Sequence, residues 1–334
     1  MERRTEFKRN QKLEELLKEL SGILSLPEER ILNNYSMPKR PVILVVGVPR
    51  CGSTLTMQWL ASTGQIAYPS NMLSRFFSAP YIGAKIQLLL TSPEYNFNNE
   101  ILDFAAEVNF KSSLGKTRGA LAPNEFFYFW RRFIPYTFPK HLHDDEVKNI
   151  DVKTMVAELA ALEAAFDMPF ATKGAFVQFN IASFSPLFEK VLFLWVKRHP
   201  FYNAQSLLES REKFYGDRKA WYSMQPKEYD DLIKLDIFSQ VTGQVYHINR
   251  AIEEGIAGID DCRSLTVQYE EFCKNPREIY RQLVAKLAEQ GCEISPEYVG
   301  PEEFKDTNQV RVESADRDAM VSAYSRIAGE EIEL

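Results

Sequence analysis

The apolar residues of this chain fall into short unbroken runs separated by stretches of helical periodicity. Val42-Ile43-Leu44-Val45-Val46, entered from Pro41 and closed by Gly47, predicts a buried parallel strand, because a strand covered on both faces has no polar side to alternate with. Val191-Leu192-Phe193-Leu194-Trp195-Val196 predicts a second. Ser264-Leu265-Thr266-Val267-Gln268-Tyr269 predicts a third, and Pro169-Phe170-Ala171-Thr172-Lys173-Gly174 a shorter one ending in a lysine. Residues 54–60, 152–166, 202–213, 237–254 and 277–290 read as helices, as does the stretch after Gly174 through about Phe188. Strands and helices alternate without repeats or a linker. That order implies an α/β fold, an open and mainly parallel β-sheet flanked by helices on both faces, with ligands at the C-terminal ends of the strands.

The remaining stretches are less regular. Residues 1–35 form an N-terminal helical extension, in which Leu13, Leu16, Leu17 and Leu20 mark one apolar face expected to dock on the domain 36–334. Residues 64–150, with Pro69, Pro80, Pro93, Pro123 and the polar cluster Asn96-Phe97-Asn98-Asn99-Glu100, read as an insertion over the substrate side of the sheet. Within it, Phe126 to Phe133 form an aromatic segment, expected mostly in the core, with Glu125 leading into it beside a pocket wall. Residues 214–235 read as loop. The tail 295–334 is polar, with a short helix near 316–327.

Composition narrows the function classes. The 334 residues carry 40 basic and 46 acidic side chains, a net charge of −6, and no basic block, so nucleic acid is not an expected partner. No run is long and apolar enough to span a membrane, and the N-terminus is charged where a signal peptide needs an apolar centre. Cys51, Cys262, Cys273 and Cys292 lack zinc spacing and suit a reducing compartment. The expectation is a cytoplasmic protein without a metal.

The first strand leads into Gly47-Val48-Pro49-Arg50-Cys51-Gly52-Ser53-Thr54-Leu55. Strand, glycine-bounded loop and helix build an anion site from backbone N–H groups and a helix N-terminus, so the domain is P-loop-like. The spacing of Gly47 and Gly52 and the hydroxyl of Thr54 match the nucleotide P-loop, but Ser53 stands where its lysine belongs and Arg50 appears earlier. A phosphate cradle remains without the residue that holds a triphosphate. Other strand ends deliver Lys173, Arg198 and Tyr269, and Ser206 follows Arg198 by about two helical turns. A lone cation at a strand end is ordinarily a solvated residue; three converging on one loop outline two anion sites, the loop with Lys173 and Arg198 with Ser206. A nucleoside with phosphates at both ends would bridge them, with Tyr269 on its base.

Taken together, these motifs resemble those of the sulfotransferases that use 3′-phosphoadenylyl sulfate (PAPS). Residues 47–55 are similar to the family's 5′-phosphosulfate loop in the arginine form of bacterial and Golgi-type members, including the tyrosylprotein sulfotransferases. Val196-Lys197-Arg198-His199-Pro200 with Ser206 resembles its 3′-phosphate motif, and Thr266 to Phe272 its strand ending in a Tyr-Glu step. Lys173 precedes the second motif at the distance of a catalytic lysine in tyrosylprotein sulfotransferases. The resemblance implies sulfuryl transfer from PAPS to an acceptor hydroxyl, a carbohydrate or small metabolite, without a metal. It gives Arg50, Lys173 and the amides of Cys51, Gly52, Ser53 and Thr54 to the leaving 5′-phosphate, Arg198 and Ser206 to the 3′-phosphate, and Tyr269 to the adenine. Arg211 and the tail at Thr307-Asn308-Gln309-Val310 would close over the nucleotide.

The pattern breaks at the general base. Ser70 and Asn71 stand where tyrosylprotein sulfotransferases carry a glutamate, and none of the four histidines lies in a matching motif. Glu125 is the expected base, since apolar rings can raise a carboxyl pKa toward neutrality, although an acidic residue at a helix start is also favoured by the dipole alone; His199 is the second candidate. Two other readings stand beside this one: a P-loop kinase of a small metabolite, and a non-catalytic nucleotide-binding protein.

Overall fold

The structure, a computed structural model, describes residues 3–96, 98, 100, 101 and 110–334. Residues 97, 99 and 102–109 of the expected insertion, including two of the Asn96–Glu100 cluster, lie outside the described residues. The described strands are β1 (Val42–Val46), β2 (Ser112–Ser113), β3 (Lys116–Thr117), β4 (Ala171–Lys173), β5 (Val191–Lys197) and β6 (Ser264–Gln268). The described α-helices begin with α1 (Gln11–Leu32), α2 (Ser53–Ser62), α3 (Pro80–Thr91), α4 (Phe127–Phe133), α5 (Asp144–Lys148) and α6 (Val152–Phe166). They continue with α7 (Ile181–Phe184), α8 (Pro200–Tyr215), α9 (Tyr229–Leu232), α10 (Ile237–Ala257), α11 (Tyr269–Lys274), α12 (Pro276–Glu289) and α13 (Ser314–Ala328).

Four strands form one sheet in the order β4-β1-β5-β6, and every pairing is parallel. β1 is central. Its side chains alternate between two cores, which explains why the run carries no polar position. Val42, Leu44 and Val46 join Phe193 and Trp195 of β5 against Leu159 of α6, Leu207 of α8 and Val245 of α10. Ile43 and Val45 join Leu192 and Leu194 against Met57 and Leu60 of α2 and Leu283 and Leu287 of α12. The edge strand β6 reverts to alternation, with Leu265 and Val267 buried and Thr266 and Gln268 exposed. The expected α/β fold, a P-loop-like parallel sheet covered on both faces, is the one observed.

Several boundaries differ from the pattern-based expectation. The stretch 178–188 is not one helix but 3-10 and α turns broken at Pro186, whose ring cannot continue the ladder. Tyr269 opens α11 instead of ending β6. The segment expected as loop contains α9. In the tail, α13 buries Met320, Ala323 and Tyr324 against α10 and is a docked helix of the domain. On α1, Leu17 is buried but Leu16 is 52% exposed. Much of that helix's anchoring is polar: the Glu28 carboxylate accepts the N–H groups of Tyr81 (2.7 Å) and Ile82 (3.1 Å) at the start of α3, where the helix dipole favours a negative charge.

A second buried carboxylate ties α4 to α6. Glu158 accepts two hydrogen bonds from Arg132, at 2.7 and 2.8 Å. Burial outweighs that partner and pushes the Glu158 carboxyl up to about 7. A carboxyl whose pKa is higher folded than unfolded binds more protons in the native state, so its contribution is complete below the unfolded value of about 4.3 and is lost as pH rises through the folded value. Melting temperature should therefore fall between about pH 5 and 7 through this group, and Glu158→Gln should flatten that slope; an unchanged slope in melts across the range would contradict it.

Candidate active site

The loop between β1 and α2 is held from both sides. Gly47 N–H donates to Gln178 Oε1 at 3.0 Å, Asn203 Nδ2 donates to Pro49 O at 2.7 Å, and Cys51 N–H turns back to Val48 O at 3.1 Å. Gly52 caps α2 with φ of +107° and offers no capping side chain. A Cβ at Gly52 would lie 2.6 Å from Tyr269 Cδ2, so this position needs glycine for both its backbone angle and its ring neighbour. The first turn of α2 carries backbone N–H groups without intrahelical acceptors and the positive end of the helix dipole. The Cys51 side chain is fully buried, burial raises its thiol pKa, and its N–H donates to Val48 O.

Lys173 arrives at this helix start from the C-terminal end of β4. Its ammonium donates to Thr54 Oγ1 at 2.9 Å and to Glu125 Oε1 at 2.9 Å, and the residue is only 7% exposed. Three positions from separate segments thus meet at one nitrogen. The hairpin β2–β3 crosses the same point. A Cβ on Gly115 (φ +81°) would lie 3.3 Å from Glu125 Oε1 and 3.5 Å from Thr54 Oγ1. Asn71 fastens the hairpin through Nδ2 to Thr117 Oγ1 (3.1 Å) and Gly119 O (2.9 Å). Sequence reasoning missed this cover, although Leu114-Gly115 between two short polar runs is a hairpin signal. The aromatic segment after Glu125 is largely core, since Phe126, Phe129 and Trp130 are at most 1% exposed.

The second cationic position lies on the opposite side of β1. Arg50, itself at φ +74°, donates from Nε to Ser206 Oγ on α8 at 3.2 Å. Both line a cavity of about 200 Å³ with Ser112, Leu114, Glu209, Ser210 and Lys213. Arg198 lies behind it, donating from Nη1 to Arg50 O (2.9 Å), from Nε to Asn308 Oδ1 (2.8 Å) and from Nη2 to Thr307 Oγ1 (3.2 Å). Its guanidinium stands 4.8 Å from the centre of the Tyr269 ring, and burial pushes its pKa down. Tyr269 Oη and Thr307 Oγ1 are 3.0 Å apart. Glu270 accepts from His199 N–H (2.9 Å) and Asn308 Nδ2 (2.6 Å), which locks the tail onto the end of β5.

The grouping therefore differs from the expected one in two respects. Ser206 pairs with Arg50, and Arg198 reaches that pair through the loop backbone and the tail. Arg211 lies on α8 beyond Ser206 but points into the protein. It is fully buried, donates to Gln240 Oε1 at 2.7 Å, sits 5.1 Å from the Trp221 ring centre, and is pushed down to about 10 by burial. His199 Nε2 lies 2.8 Å from the Glu333 carbonyl oxygen, and no described contact joins it to Lys173 or Glu125. Glu270, the Glu of the Tyr-Glu step, holds the tail in place; Gln178 and Asn203, which hold the loop, were not singled out from sequence, since a lone Gln or Asn has no motif. Among the described residues, no cluster of three or more His, Cys, Asp or Glu side chains could hold a metal ion, and no helix is long and apolar enough to cross a membrane.

Gly52→Ala should destabilise the fold by about 2 kcal/mol, through a strained φ and the contact with Tyr269. A chemical melt that leaves stability within about 0.5 kcal/mol would contradict the packing described.

Comparison with solved structures finds sulfotransferase STF1 from Mycobacterium tuberculosis H37Rv at a TM-score of 0.51 and 11% identity, covering 93% of this chain and 82% of that one. Sulfotransferase STF9 from Mycobacterium avium follows at 0.50 and 15% identity, covering 90% and 71%. At such identities the likeness is one of fold. No match is found among curated proteins. A family model described as "Sulfotransferase family" matches residues 41–290. That match spans β1 through α12, and the chain belongs to the sulfotransferase family.

Proposed function

We propose that the protein transfers a sulfuryl group from PAPS to an acceptor hydroxyl on a carbohydrate or small metabolite. The observation that carries this reading is the pair of cationic positions flanking one helix N-terminus. Lys173 comes from β4 on one side of β1, and Arg50 with Ser206 and Arg198 comes from the β5 side. Such a site suits a nucleotide with phosphate at two separate positions better than a linear triphosphate. Ser53 in place of the P-loop lysine supports the same conclusion.

The donor set fits that ligand. The start of α2 and Lys173 would hold the 5′-phosphate end, Arg50 and Ser206 would hold the 3′-phosphate with Arg198 behind them, and Tyr269 would face the base. PAPS supplies a sulfuryl group whose bond to the 5′-phosphate oxygen breaks, leaving the electron pair on phosphate, as the bond to the acceptor oxygen forms. The chain's part is to place positive charge and preorganised N–H groups where negative charge grows. Lys173 does this in contact with Thr54, and its 7% exposure keeps the ammonium poorly screened. Glu125 takes the acceptor proton. Its carboxylate, held by the same ammonium, lies beside the helix start and under the hairpin turn, where an acceptor oxygen would approach.

Incubation with PAPS and a panel of hydroxylated compounds should release adenosine 3′,5′-bisphosphate together with a sulfated product, while ATP with magnesium should give no phosphorylated product. ATP turnover would instead favour the kinase reading. Lys173→Ala should lower kcat by about 10²–10³-fold, the scale of removing one preorganised donor. Glu125→Gln should reduce turnover by about 10²-fold or more while leaving binding of adenosine 3′,5′-bisphosphate intact; undiminished turnover would remove Glu125 from the base role.

A further inference from the structure

The cavity beside Arg50 contains one charge of the wrong sign for a phosphate. Ser206, Glu209, Ser210 and Lys213 recur at the spacing that puts side chains on one face of a helix, and all four line the cavity from α8. The Ser210 hydroxyl is spent on Ser206 O at 2.7 Å. Arg50, Lys213 and Glu209 are then the charged side chains of the wall. An unmasked carboxylate among them would oppose the attraction that the two cations exert on an anion.

Glu209 is masked from the tail. Arg311 donates from Nε to Glu209 Oε1 at 2.7 Å and from Nη2 to Oε2 at 3.0 Å, so both carboxylate oxygens face one guanidinium fork. The same bonds push the Arg311 guanidinium above its ordinary value. The tail sets Arg311 in place. Its N–H donates to Oε1 of the buried Gln205 at 2.8 Å, Gln205 Nε2 returns to Gln309 O at 2.9 Å, and Arg311 Nη1 closes onto Thr307 O at 3.0 Å. The pair itself is wet, with the Glu209 and Arg311 side chains 41% and 39% exposed. An ion pair so exposed adds little to stability. Its consequence lies in what the Glu209 charge does to an anion entering the cavity.

We propose that Arg311 sets the preference for a 3′-phosphorylated nucleotide by neutralising Glu209. It is a positioning residue: it holds the carboxylate toward the tail, and the phosphate then meets Arg50, Ser206 and Lys213 without an opposing charge. This rests on the transferase reading above and assigns a residue to its choice of donor. The stretch 307–311 thereby acts twice on the same subsite. Thr307 and Asn308 fasten Arg198 behind Arg50, and Arg311 removes the charge in front of it.

The test compares adenosine 3′,5′-bisphosphate with adenosine 5′-monophosphate, which differ only in the 3′-phosphate. Calorimetric titrations are run on the wild type, Arg311→Gln, Glu209→Gln and the double variant. Arg311→Gln is expected to bind the bisphosphate about tenfold more weakly, and the monophosphate within about twofold of the wild type, as one uncompensated charge beside the 3′-phosphate requires. Glu209→Gln breaks the same ion pair yet should match or exceed wild-type affinity, and the double variant should recover it. A pair that only fastens the tail gives the opposite: Glu209→Gln weakens bisphosphate binding as Arg311→Gln does, and the double variant stays weak. That result overturns the proposal, as does unchanged bisphosphate affinity in Arg311→Gln or an equal loss for the monophosphate. A wild type that binds both nucleotides equally overturns the transferase reading and this proposal with it. Wild-type discrimination without rescue in the double variant overturns the proposal alone.

Discussion

A single buried ammonium organises the candidate site. Lys173 is 7% exposed and touches Thr54 at the start of α2 and Glu125 ahead of α4, each at 2.9 Å. An uncompensated charge so far from water would be costly, so the geometry of strand, helix and insertion must meet closely enough to satisfy it. That requirement couples β4, the loop after β1 and the start of α4 into one unit. It also places a fixed positive charge at the helix terminus that already favours anions.

The sheet supplies the precision. β1 is buried on both faces and flanked by β4 and β5 in parallel register, so Lys173, Arg198 and the glycine-bounded loop are delivered to one edge by backbone that has little freedom to shift. The tail completes the other half. Thr307 and Asn308 accept from Arg198, while Glu270 holds Asn308 and the N–H of His199. A segment without regular structure thereby becomes part of the candidate site.

The legible parts of the fold were those with a period or a motif. Unbroken apolar runs announced β1 and β5, because burial on two faces removes every polar position from a strand. The glycine-bounded loop, Arg198, Ser206 and Lys173 could be singled out as candidates because anion sites call for specific residue types at fixed spacing. Pairings that depend on three dimensions were not legible: Arg50 reaches Ser206, 156 positions away, and Arg211 turns inward against Gln240 and Trp221 although its position on α8 suggests the opposite. The β2–β3 hairpin was overlooked because its strands are too short for alternation to show. Leu16 of α1 is exposed because polar contacts such as Glu28 with the start of α3 share the docking.

The central claim is that two separated anion positions flank the start of α2, and calorimetric titration with adenosine 3′,5′-bisphosphate against ADP tests it most directly. The account predicts saturable binding of the bisphosphate and at least about tenfold weaker binding of ADP, which lacks the 3′-phosphate for Arg50, Ser206 and Arg198 to hold. Equal affinity for the two nucleotides, or no binding of the bisphosphate, would contradict it.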